Sequence, residues 1–219
     1  MNSISDILGF ILVLLVLTMQ WMVFVNRIFL VFSLNSLVVA VAFFILGIHT
    51  GTMEYFVIAG LTVLIRAFLI PMITSFNLHK RPERVREDAP LVPTASGILV
   101  SMALILTALA LFRYVLLPRF GVLNESGGLA LALILQGAFL IVSKRNSFIQ
   151  FSGYLVVENG VLLFAAWNFP VIPLILEGAV ALDLLGLVVI AGIVMRLRER
   201  RTEGDTPFAI AAEHEDLKG

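Results

Sequence analysis

Cysteine is absent from all 219 residues. No disulfide can form, and no thiolate cluster can ligate an iron–sulfur centre. If the protein serves a redox enzyme, the electrons run through another chain. Charge is also scarce. Asp, Glu, Lys and Arg make up 14% of the chain, where an ordinary soluble domain has about 25%. The signs balance at 15 and 15, so nothing points to a nucleic-acid partner. The three histidines, His49, His79 and His214, do not form metal-ligand spacing. There is no glycine-rich phosphate loop and no nucleophile elbow.

What is present is apolar surface. The chain is 60% hydrophobic, with a mean hydropathy of +1.03. It would not stay dissolved in water, which makes it an integral membrane protein. A spanning helix needs about 20 mainly apolar residues. Seven runs qualify, at roughly 5–25, 28–48, 54–76, 94–117, 127–143, 147–167 and 171–195. They are continuous and do not alternate, so the expected fold is all-α, a seven-helix transmembrane bundle. The first run lacks a basic flank and a small-residue cleavage site and carries Asp6, so it reads as a retained helix.

The cations sort by side. With seven spans, one side receives Arg27, Lys80, Arg81, Arg84, Arg86, Lys144, Arg145, Arg196, Arg198, Arg200, Arg201 and Lys218. The other receives Arg113 and Arg119. The positive-inside rule makes the richer side cytoplasmic, with the N-terminus outside and the C-terminus inside. The loop at 77–93 is then the sizeable cytoplasmic connection, either a solvated orientation signal or a docking site. The stretch 202–219 is polar, mixes charge signs and reads as a mobile tail.

Spans 2 and 6 echo each other. A shift of 119 residues places Phe29 on Phe148, Phe32 on Phe151, Ser33 on Ser152 and Val38 on Val157. This suggests two parallel three-helix units, 1–76 and 127–201, joined by a cytoplasmic loop and a linking helix over 77–126.

Four ionisable residues fall inside the spans. Glu158 lies in FIQFSGYLVVENGVLLFAAW, and Glu177 and Asp183 lie in VIPLILEGAVALDLLGLVVIAGIV. A carboxylate at a helix centre costs about 2.5–3.5 kcal/mol on insertion scales. Such groups face a bundle interior or a wet cavity, which points to ion or proton handling. The alternative is structural: interhelical hydrogen bonds by neutral acids, or a buried ion pair. Asp183 and Glu158 sit at similar depth. Glu177 is about 9 Å nearer the outer surface, at ~1.5 Å per residue. Arg66, within GLTVLIRAFLIPMI, is too deep to snorkel and needs a carboxylate or water; both Asp183 and Glu158 are candidate partners. Gln20, Asn35 and Gln136 are weaker points, either extensions of a hydrogen-bonded wire or ordinary helix–helix bonds.

The residues from Lys144 to Arg200 resemble a known pattern. SGYLVVENGVLLFA, with Glu158, and AVALDLLGLVVIAG followed by MRLRERR, with Asp183, look like the facing acids of the three-helix NuoK-type subunit of respiratory complex I. They also resemble its MrpC counterpart in multisubunit sodium/proton antiporters. The family usually has Glu where Asp183 stands, and Glu177 has no clear counterpart there. Over most of its length, with a three-helix unit before the NuoK-like end, the chain resembles the hydrogenase-4 component E family (HyfE). The resemblance implies a non-catalytic membrane subunit of a group 4 nickel–iron hydrogenase or formate hydrogenlyase-like complex, in a bacterial or archaeal inner membrane. It implies antiporter-like and anchor subunits as partners, a peripheral nickel–iron and iron–sulfur arm, and no cofactor in this chain. Under that resemblance Glu158 and Asp183 relay protons. A cation/proton antiporter or other complex I-like pump, and a purely structural spacer, remain as alternatives.

Overall fold

The computed structural model describes residues 2–79, 91–120 and 124–169, with single positions at 178, 186, 188 and 192. The described residues form helices and no strand element. Helix α1 is Asn2–Trp21 and α2 is Val25–Thr50. Helix α3 covers 53–79: Met53–Leu61, a π-helical Thr62–Leu69 and Ile70–His79 follow one another without a break. Helix α4 covers Thr94–Phe120, with a π-helical Phe112–Leu116 near its end. Helix α5 is Gly127–Ser143 and α6 is Ser147–Asn168. Five of these are long and apolar enough to cross a membrane; α5, at 17 residues, is shorter. The seventh run, 171–195, lies outside the described residues apart from those single positions. So do Glu177, Asp183, most of the loop at 77–93 and the tail at 202–219.

Helix ends differ from the expected ones where polarity misleads. The first reversal was expected at Asn26–Arg27. It falls instead at Met22–Phe24, and α2 already includes both polar residues in its first turn. Arg27 is exposed there, its guanidinium 5.6 Å from the Phe24 ring. A charged residue marks the membrane interface, and a helix can run through that interface for another turn. The reversal after α2 has a plainer cause. Gly51 adopts φ 69, which only glycine reaches without strain, and its N–H closes onto the Gly47 carbonyl at 2.9 Å. At the start of α6 the Asn146 side chain accepts the Phe148 N–H at 2.9 Å, satisfying an orphan donor.

Of the five membrane-length helices, α2 and α6 are the most enclosed. Of the positions that echo between them, Phe29, Phe32, Phe148 and Phe151 are buried and Val38 and Val157 half-buried, while Ser33 is half-buried and Ser152 fully buried. Helix α6 owes its place to a backbone contact with α5. A Cβ on Gly137 would stand 2.8 Å from the Gly153 carbonyl oxygen, and one on Gly153 would stand 2.9 Å from the Gly137 carbonyl. A Cβ on Gly160 would come within 3.0 Å of the Ile134 nitrogen. Without a hydrophobic driving force between helices in lipid, small residues that let backbones approach supply much of the association. At one end of the bundle polar ties add to this. Ser126 Oγ donates to Asp6 Oδ1 at 2.8 Å, and the Asn124 N–H donates to Asn168 Oδ1 at 3.0 Å.

Gly153→Leu has no room to relax without prising α5 from α6. The expected result is a folded state weakened by about 1–3 kcal/mol, as in overpacked cores, read as a lower thermal midpoint in detergent. An unchanged midpoint would mean that the two backbones are not in contact.

Candidate functional site: a buried charge pair shared by four helices

Arg66 is completely enclosed, the largest side chain in the structure without surface exposure. It sits mid-span in α3, in the π-helical stretch. There the Ile70 N–H bonds back five residues, to the Ile65 carbonyl. Pro71 follows directly. It has no N–H to give, and in α geometry its ring would press on the carbonyl four residues back, that of Ala67. Ala67 O is instead taken by Ser33 Oγ of α2 at 3.0 Å. The second π stretch, Phe112–Leu116, likewise ends two residues before a proline, Pro118. A proline that displaces the preceding turn is a recognised cause of helix distortion, and wide turns gather at functional positions.

From this turn the guanidinium reaches α6. Arg66 Nη2 donates to Glu158 Oε1 in a salt bridge, and Arg66 Nη1 donates to Asn159 Oδ1. Both acceptors are buried, Glu158 at 2% exposure and Asn159 at 0%. The chain of bonds continues outward. Asn159 Nδ2 donates to Asn35 Oδ1 of α2 at 3.0 Å, and Asn35 Nδ2 to the Leu12 carbonyl of α1 at 3.4 Å. Four helices thus share one polar string. Ser36, next to Asn35, is fully buried, and its hydroxyl has no hydrogen-bond partner among the described residues.

Among the described residues the acid that Arg66 meets is Glu158; Asp183 and Glu177 lie outside them. Gly186, three positions past Asp183, is buried, and a Cβ there would lie 3.4 Å from Leu155 of α6. Among the weaker candidates, Asn35 joins the string. Gln136 does not; it donates to Ser101 of α4 at 3.2 Å. Gln20 is buried, and its Nε2 finds no partner among the described residues. Sequence reasoning missed Asn159 as a ligand of Arg66. The signal was available, since an amide deep in a span is costly unless it is bonded. Ser33 was recognised only as part of the internal echo. Among the described residues no group of three or more His, Asp or Glu could hold a metal ion.

Arg66 and Glu158 stand at salt-bridge contact inside the bundle, both buried. Removing one partner of such a pair leaves a bare buried charge and costs roughly 3–5 kcal/mol, while replacing both by apolar groups is often neutral or better. Arg66→Leu should therefore sharply reduce folded protein in the membrane. Arg66→Leu combined with Glu158→Leu should recover most of it. Thermal unfolding of the two single variants and the double variant in detergent checks this; simple additivity of the two losses would mean that the side chains do not interact.

No protein-family profile matches the chain, and no solved structure matches it. Curated relatives do. The protein Rv0085 of Mycobacterium tuberculosis (strain ATCC 25618 / H37Rv), described as uncharacterized, is 32% identical over 147 residues, covering 67% of this chain and 66% of the relative. Hydrogenase-4 component E of Escherichia coli (strain K12) is 26% identical over 168 residues, covering 75% of this chain and 76% of that protein. The Shigella flexneri protein of the same name aligns to the same extent. Across three quarters of its length, this chain is a homologue of hydrogenase-4 component E.

Proposed function

We propose that this protein is a membrane subunit of a group 4 nickel–iron hydrogenase or formate hydrogenlyase-like complex, and that its buried carboxylates move protons. The homology to hydrogenase-4 component E supports the assembly. The observation that carries the proton-handling part is the charge pair Arg66–Glu158, enclosed in the middle of an apolar bundle and tied into a polar string. In this reading Arg66 is a gate. While it holds Glu158, that carboxylate keeps its charge and carries no proton. When the guanidinium withdraws, Glu158 is free to take one.

Asp183, in the apolar run 171–195, is the second station in this reading. Glu177 would sit further out, on the entry side. The metal chemistry belongs to other chains, and antiporter-like and anchor subunits would flank this one. The matching burial of Phe29 with Phe148 and Phe32 with Phe151 supports two related three-helix units, 1–76 and 127–201, joined through 77–126. An antiporter-type complex without hydrogenase would use the same residues, and a nickel–iron large subunit among co-purifying chains separates the two.

A second reading, a structural clamp, is favoured by the same ion pair, because a locked pair holds helices together without moving anything. Amide and leucine variants distinguish them. Glu158→Gln and Asp183→Asn keep shape and most hydrogen bonds but carry no charge. For a relay, the complex should assemble, transfer electrons to artificial acceptors normally, and pump protons poorly in reconstituted vesicles. Full pumping by the double amide variant would sink the relay. Silent amides with Glu158→Leu and Asp183→Leu that fail to assemble would favour the clamp.

The orientation is tested separately. Because the chain has no cysteine, Arg84→Cys supplies a thiol without background. The charge bias predicts that an impermeant thiol reagent labels it from the cytoplasmic face only. Labelling from the periplasmic side would invert the topology.

A further inference from the structure

Asn35 on α2 and Asn159 on α6 are both fully buried, and each uses both ends of its amide. The bonds all run one way. Arg66 Nη1 donates to Asn159 Oδ1, Asn159 Nδ2 donates to Asn35 Oδ1 at 3.0 Å, and Asn35 Nδ2 donates to the Leu12 carbonyl at 3.4 Å. The two ends of the string fix this direction. A guanidinium only donates and a backbone carbonyl only accepts, so each amide between them has one orientation that satisfies both neighbours.

A proton wire needs members that take up and release a proton. Neither amide titrates, and an arginine stays protonated, so this string carries no proton away from Glu158. What it does fix is direction. Helix α2 meets the Arg66 turn at two points. Ser33 Oγ donates to the carbonyl of Ala67, the next residue after Arg66, at 3.0 Å. Two residues on, Asn35 holds the amide that receives the guanidinium. The backbone of the turn and the tip of its arginine are thus both referred to α2.

The two acceptors of Arg66 differ in kind. The Asn159 oxygen accepts from Arg66 whether or not Glu158 holds a proton, because an amide has no proton to gain there. An unanchored asparagine side chain turns readily to backbone groups of its own helix. The bond to Asn35 opposes that turn.

We propose that Asn35 is a positioning residue for Arg66: by fixing the Asn159 amide, it keeps one arm of the guanidinium anchored beside Glu158. One consequence rests on the function proposed above. Arg66 then releases Glu158 by pivoting on Asn159 and keeps an acceptor throughout. The positioning itself does not rest on that function.

Infrared difference spectroscopy on the full chain in membranes tests the positioning, with heavy-isotope labelling of the arginine guanidinium to identify its bands. Asn35→Leu should shift those bands. In an Asn159→Leu background the same substitution should shift them no further, because residues that act through one another are not additive. Unshifted bands in the single variant overturn the proposal. So does a shift that persists undiminished in the Asn159→Leu background, since it would come from general loosening of the bundle. If Asn35→Leu accumulates poorly, Asn35→Ala removes the amide without adding bulk and takes its place, with the same outcomes. Protons pumped per electron transferred, measured on the reconstituted complex, read the consequence. Asn35→Leu should lower that ratio. Shifted bands with a wild-type ratio would leave Asn35 as the positioning residue and contradict the proton gate of the proposed function.

Discussion

A guanidinium in the middle of a membrane helix has no water to turn to and cannot be deprotonated to escape the cost. Arg66 therefore dictates much of what surrounds it. It needs a carboxylate, which Glu158 supplies, and an acceptor for its second arm, which Asn159 supplies. Those two residues must then face α3 at the right height. The glycine-mediated contact of α5 with α6 fixes the helix that presents them. Asn159 still has amide hydrogens to place, and Asn35 accepts one. Asn35 in turn reaches the Leu12 carbonyl. Each step satisfies a group that the previous step buried, and the string ends only where a backbone oxygen absorbs the last donor.

The π-helical turn belongs to the same chain of causes. An α-helix running into Pro71 would leave the Ala67 carbonyl under the proline ring. Widening the turn relieves the clash, and Ser33 takes up the carbonyl that the missing N–H leaves behind. A turn that is already non-standard has a neighbouring hydrogen-bond register close at hand, which suits a side chain proposed to release its partner.

Much of the fold was legible because five of the apolar runs are helices long enough to cross a membrane. The runs at 127–143 and 147–167 agree with α5 and α6 to within a residue. The first two shifted because Asn26 and Arg27 mark an interface and not a turn. The π stretches had a sequence signal, Pro71 and Pro118, but a proline announces a distortion without naming its form. For the site, depth along a helix follows from residue number and made both Glu158 and Asp183 eligible for Arg66. Direction around the helix does not follow so simply, because the π turn rotates Arg66 and the glycine contact rotates Glu158. That left the choice between two acids open, and it hid Asn159, whose value depends on facing α2 and α3 at once.

The charge state of Glu158 tests the central interaction most directly. An infrared difference spectrum between wild type and Glu158→Gln, taken on the protein in membranes at neutral pH, separates a carboxylate from a protonated acid by its carbonyl stretch. A carboxylate held against Arg66 predicts that the substitution removes carboxylate bands and leaves the protonated-acid region unchanged. Loss of a protonated-acid carbonyl band would contradict the ion pair, and with it the reason for the arrangement of the four helices around Arg66.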